Sequence, residues 1–153
     1  ILKPKDIAIT PQDERFLTRV KEAVEKNLGD EDFSVEHLGH EVGMSRTQLH
    51  RKLKALTDQS AGEFILSMRL QRALELLKQN AGTVAEIAYM TGFNTPNYFA
   101  KCFRQQFGSS PSEYKMNVAQ QNAKGETEEE AVVAVQRRKT DTTTIVSSVN
   151  HRA

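Results

Sequence analysis

Cysteine is almost missing from this chain of 153 residues, with Cys102 standing alone. That excludes an internal disulfide framework and fits a reducing compartment such as the cytoplasm. In its aromatic-rich surroundings Cys102 reads as a small packed side chain. No apolar run approaches the ~20 residues needed to cross a bilayer, and no signal peptide is visible, so no membrane contact is expected of this segment. There is no phosphate loop, nucleophile elbow or paired-carboxylate signature, so the segment reads as a non-enzyme that needs no cofactor. A starting methionine is absent as well. We therefore expect an excerpt, with any kinase, membrane anchor or dimerisation element in a preceding portion. Acidic residues are lacking only locally. The net charge is a bland +1, yet none occurs between Glu41 and Asp58, where Arg46, Arg51, Lys52 and Lys54 lie. None occurs between Glu86 and Glu113 either, a window that holds Lys101 and Arg104. Local sign, more than total charge, steers a surface toward phosphates.

What is present is a sentence written twice. Val35 to Met44 lines up with Val84 to Phe93, and after one inserted residue the match resumes. Leu49 then meets Phe99, Arg51 meets Lys101, Leu53 meets Phe103 and Lys54 meets Arg104. Ser60-Ala61-Gly62-Glu63-Phe64 meets Ser110-Pro111-Ser112-Glu113-Tyr114. Each copy reads as a short helix, a Gly-centred turn and a second, basic helix. A duplicated helix-turn-helix of this kind is best explained by recognition of double-stranded DNA.

Helix starts are legible from hydroxyl caps followed three residues on by a carboxylate. Thr10/Asp13, Ser60/Glu63, Thr83/Glu86 and Ser110/Glu113 have that form, and Ser45/Gln48 is its amide version. Thr95-Pro96 supplies a cap and a proline without the acid, and Ser34 is a further cap. These starts predict seven helices over 11–28, 35–42, 46–56, 61–79, 84–91, 96–107 and 111–117. The fold class is all-α and homeodomain-like, with two helix-turn-helix repeats joined by a long central helix. The first helix places Phe16, Val20, Val24 and Leu28 on one stripe and stops at Gly29. The fourth is apolar around much of its circumference, from Phe64 and Ile65 to Leu76 and Leu77, which suits a strut buried from several directions. Residues 1–10 read as a linker from a missing N-terminal portion and 11–117 as the DNA-binding domain. The polar stretch 118–153 reads as a disordered tail with a second basic cluster at Arg137, Arg138 and Lys139.

In the helix 46–56, Leu49, Leu53 and Leu56 form the inward stripe and Thr47, His50, Arg51 and Lys54 the outward one. In the helix 96–107, Phe99, Phe103 and Phe107 face inward, leaving Asn97, Ala100, Lys101 and Arg104. The outward sets coincide position for position. Arg or Lys can donate to guanine O6 and N7, and Asn can pair with adenine. Gly43 and Gly92 sit where the chain reverses, and Gly39 and Ala88 are small enough for close helix approach. The caps Ser45 and Thr95 leave N–H groups able to hold phosphate. A strut of about twenty residues spans roughly 30 Å, near the ~34 Å repeat of the major groove.

Two rival readings fit the residues less well. A helical repeat array for protein contacts normally needs three or more repeats and lacks an acid-free stripe in register. His37, His40 and Glu41 have a spacing that suits a metal on one helical face, yet no further ligand is evident.

Phe33 to Leu38, Gly43 to Lys54, and then Ile87-Ala88, Gly92-Phe93, Tyr98-Phe99, Phe103-Arg104, Phe107-Gly108, Ser110-Pro111 and Tyr114 closely resemble the AraC/XylS family DNA-binding domain. The likeness covers about 14–116. It implies a seven-helix domain acting as a transcription regulator, usually an activator, with RNA polymerase as a further partner. By position, the resemblance places base reading on Thr47, His50 and Arg51 in the first repeat and on Asn97 and Lys101 in the second. It places backbone contacts on Ser45, Arg46, Lys54, Thr95, Pro96 and Arg104. The family commonly has Arg and then Lys where this chain has Lys101 and then Arg104. The leader Ile7 to Leu17 and the segments Gly43 to Arg46 and Arg51 to Thr57 look like the output module of hybrid two-component regulators.

Overall fold

The computed structural model describes residues 9–123. Most of the expected linker (1–8) and most of the expected tail (124–153, with Arg137, Arg138 and Lys139) lie outside them. The chain divides into two units, Ile1–Ser112 and Glu113–Ala153. Six helices build the first: α1 (Pro11–Lys26), α2 (Val35–Val42), α3 (Arg46–Thr57), α4 (Ala61–Lys78), α5 (Val84–Met90) and α6 (Pro96–Phe107). A seventh helical stretch occupies 111–123. It runs past the expected end at 117 because Ala119-Gln120-Gln121 are good helix formers with nothing to break the turn. Among the described residues there is no strand, and no helix long and apolar enough to cross a membrane.

The starts form as their caps dictate. Thr10 Oγ1 accepts from the Asp13 N–H at 3.1 Å while the Asp13 carboxylate accepts from the Thr10 N–H at 3.2 Å. Ser45/Gln48, Ser60/Glu63 and Thr83/Glu86 repeat the arrangement. At Ser34 the reciprocal partner is His37, whose Nδ1 accepts from the Ser34 N–H at 3.2 Å. The histidine suggested by spacing as a metal ligand is thus engaged in capping the start of α2.

Ends were less legible. Helix α1 stops at Lys26, and Asn27 caps it by donating from Nδ2 to Ala23 O (2.8 Å) and to Glu41 Oε1 (2.9 Å). Gly29 is needed for a different reason. A Cβ there would sit 3.2 Å from Met90 O, so the glycine lets the end of α1 lie against α5.

Two cores share α4. Phe16, Val20 and Val24 of α1 join Leu38, Leu49 and Leu53 and the N-terminal part of α4 (Ala61, Phe64, Ile65). The C-terminal part of α4 buries Ala73, Leu76 and Leu77, and α5 and α6, which pack on α4, bury Ile87, Ala88, Phe99 and Phe103. Burying one such side chain is worth about 1.5–3 kcal/mol, so each repeat is held by its apolar stripe rather than by its caps. Between the cores lies Arg69 of α4, buried, donating through Nη2 to Asp30 O (2.9 Å) and Phe33 O (3.4 Å) and through Nη1 to Gly92 O. It ties the loop before α2 to the turn after α5. Burial lowers its pKa from the ordinary arginine value, and the charge of Asp30 partly offsets this.

Candidate nucleic-acid interface

The two repeats are near copies in backbone detail. Gly43 takes φ 72° and Gly92 φ 84°, the left-handed region that reverses the chain without a Cβ penalty. The Met44 N–H donates to Gly39 O at 2.8 Å, and its counterpart, the Phe93 N–H, donates to Ala88 O at 3.0 Å. Gly39 is small for this turn: a Cβ on it would meet Met44 O at 2.6 Å. Helices α3 and α6 then run for twelve residues each and end at equivalent left-handed residues, Asp58 and Gly108. The inserted residue is Asn94, exposed, which lengthens the second turn.

The inward stripes are as expected. Leu49, Leu53, Phe99 and Phe103 are inaccessible, while Leu56 and Phe107 are half-buried. The outward stripes are therefore fixed in direction. Thr47, His50, Arg51 and Lys54 are exposed on α3, and Asn97, Lys101 and Arg104 are exposed on α6, where Ala100 is half-buried. Ser45, Arg46 and Thr95 are exposed at the helix starts, and Pro96 is half-buried. All the anticipated residues of each repeat thus come together on one helix or its cap.

What the sequence could not show is which cations are already engaged. Arg46 Nη1 lies 2.8 Å from Glu36 Oε1, an ion pair between α3 and α2. Lys54 Nζ donates to Asp58 O at 3.2 Å and lies 3.7 Å from its carboxylate. Lys52 turns back to α1, its Nζ 4.6 Å from the centre of the Phe16 ring and 4.0 Å from Asp13 Oδ1. Arg51 and Lys101, at equivalent positions, have no ion pair among the described residues. Such exposed pairs are worth under about 1 kcal/mol and exchange readily for phosphate. The acid-free windows hid Glu36 because it lies one helix away. Arg69 was also missed, since an arginine inside an apolar helix leaves no sign in the sequence of which carbonyls surround it.

The helix-turn-helix domain family matches residues 38–117. The chain belongs to the AraC-type helix-turn-helix domains. Among solved structures, this domain is similar to an AraC-type regulator from Chromobacterium violaceum, with 29% identity and a TM-score of 0.65 over 72% of this chain and 98% of that one. It is also similar to the DNA-binding domain of AdpA, a global transcriptional factor solved with a target DNA. There the identity is 31% and the TM-score 0.61, over 67% of this chain and 90% of that one. Among curated proteins it is 39% identical over 120 residues to Histidine kinase P4 of Formosa agariphila, covering 78% of this chain. The domain spans 9% of that kinase, and about a third of MtrA, a regulator from Neisseria gonorrhoeae. The family is one of DNA-binding transcription regulators, not of enzymes.

Proposed function

We propose that this helix-turn-helix domain binds double-stranded DNA with α3 and α6 in successive major grooves and so regulates transcription, by activation. The observation that carries this is the pair of equivalent exposed stripes, held outward by the buried Leu49/Leu53 and Phe99/Phe103. Base edges fall to Thr47, His50 and Arg51 and to Asn97 and Lys101. Phosphates fall to Ser45, Arg46 and Lys54 and to Thr95, Pro96 and Arg104. The central helix has 18 residues, about 27 Å, less than the ~34 Å groove repeat, so engagement of both repeats bends the DNA toward the protein.

The likeness to a short stretch of Histidine kinase P4 supports a role as the output module of a longer signalling protein in the bacterial cytoplasm. A dimer formed through that protein's other regions is part of this proposal, as is a membrane anchor there. Contact with RNA polymerase is part of the same proposal, and α5 leaves Tyr89 and Met90 54% and 48% exposed. Their counterparts in α2 are the polar His40 and Glu41.

The test is a salt titration of binding to a random-sequence duplex, read by fluorescence anisotropy on the whole chain. A log–log fall of affinity with salt, with a slope of several charges, supports the reading. No binding at low salt would return the domain to the class of helical protein-contact modules.

A further inference from the structure

Side chains at equivalent positions of two equivalent helices meet the groove in the same way, so a difference in their chemistry becomes a difference in the bases they select. We infer that the operator is chemically asymmetric, with a guanine-containing half-site under α3 and an A·T half-site under α6. This rests on the DNA-binding reading above.

Three pairs of side chains differ between the helices. Arg51 and Lys101 occupy the same place on their helices, both exposed and both without an ion pair among the described residues. Arginine carries a planar fork that matches guanine O6 and N7 with two bonds. Lysine donates as a point, to guanine O6 and N7 or to the O4 of thymine, with less discrimination than the arginine fork. His50 and Ala100 form the second pair. The exposed imidazole offers a donor to the guanine edge, while the half-buried methyl of Ala100 offers apolar contact to the C5-methyl of thymine. Thr47 and Asn97 form the third, both exposed in the first turn. Threonine accepts either partner, whereas the Asn amide pairs with N6 and N7 of adenine.

The helix starts sharpen the contrast. In α3 the third helical residue, Gln48, is consumed by the cap, its Oε1 accepting from the Ser45 N–H at 3.1 Å. In α6 the equivalent residue is Tyr98, 53% exposed, its ring packed at 6.1 Å against Phe93. Thr95 accordingly caps without a reciprocal partner. A bulky exposed aromatic beside Asn97 adds apolar surface on the side assigned to A·T pairs.

The experiment is repeated selection of duplexes with a random central region by the full chain, sequenced for the wild type and three variants. The wild type should enrich two blocks about one helical turn apart, one with a fixed guanine and one rich in A·T. Arg51→Ala should lower the guanine preference about tenfold and leave the A·T block intact. Asn97→Ala should do the converse. Lys101→Arg should create a guanine preference in the A·T block, a gain that no folding defect can imitate. Two blocks of like composition, or Arg51→Ala relaxing the A·T block, would overturn the asymmetry while leaving DNA binding in place. A chain that retains no duplex at all would instead remove the DNA-binding reading on which the asymmetry stands.

Discussion

The two repeats have nearly the same backbone and quite different interiors. Within its own two helices the first packs aliphatic side chains, Leu38, Leu49 and Leu53, and its rings (Phe16, Phe33 and Phe64) come from outside α2 and α3. The second packs an aromatic series, with ring centres of Phe93 and Phe99 5.0 Å apart, Phe99 and Phe103 5.7 Å, and Phe103 and Phe107 4.6 Å. Helix α5 has only seven residues, too short to be stable alone. Large rings bury more area per residue and gain from tilted contacts, which offsets the small size of this half. A duplicated motif therefore keeps its turns and caps, where geometry leaves few options, and varies its core, where any set of the right volume will do.

The largest test of that contrast removes one core side chain from each repeat. Phe103→Ala should cost about 3–5 kcal/mol and Leu53→Ala about 2–5 kcal/mol, read from urea unfolding of the whole chain. Loss of the far-UV signal of both halves together in each variant would show that α4 couples them. A second, independent transition would show that it does not.

The turn glycines come next. A Cβ on Gly43 would meet nothing within 4 Å, so Gly43→Ala pays only for its left-handed backbone, about 1 kcal/mol or slightly more. A Cβ on Gly92 would strike Leu28 O and the Arg69 guanidinium as well. Gly92→Ala should therefore cost about 3 kcal/mol or more, and equal losses at the two sites would refute the difference in packing. Arg69→Met should follow at about 2–3 kcal/mol, because it strands the carbonyls of Asp30 and Gly92. Its mark should be loosened amide exchange in both adjoining segments, and slowing or no change in either would exclude the tie.

The smallest effect concerns a cap. Hydrogen bonding to Ser60 lowers the pKa of the exposed Glu63 below the ordinary glutamate value, with Lys54 and His50 adding a little. A lowered folded pKa means that this contribution is complete above the unfolded value, roughly 4.3, and is lost as pH falls through the lower folded one. Glu63→Gln should therefore lower Tm slightly near neutrality and not at all at strongly acid pH. A constant difference across that range would assign the effect to something other than ionisation.

Much of the fold could be read from the chain because its signals are local. Capping requires residues three apart, and an apolar stripe requires only the helical repeat, so all seven starts and both inward stripes stand where sequence placed them. The stops were less clear: α1 ends at Lys26 with Asn27 as its cap, not at Gly29, because Asn27 finds Glu41 on another helix. The outward residues of α3 and α6 were legible for the same reason as the inward ones, being their complement.

By itself, then, the sequence determined the seven helices, their caps, the left-handed turns at Gly43 and Gly92 and the faces that bear Arg51 and Lys101. These depend on contacts between residues at most four apart, or on the intrinsic freedom of glycine. Only the tertiary structure decided which cations are engaged, with Arg46 held by Glu36 across ten residues and Arg69 by Gly92 across twenty-three. It also decided what Gly29 and Gly92 are for. Those properties depend on which atoms arrive beside a residue from distant parts of the chain, and no local pattern encodes that arrival.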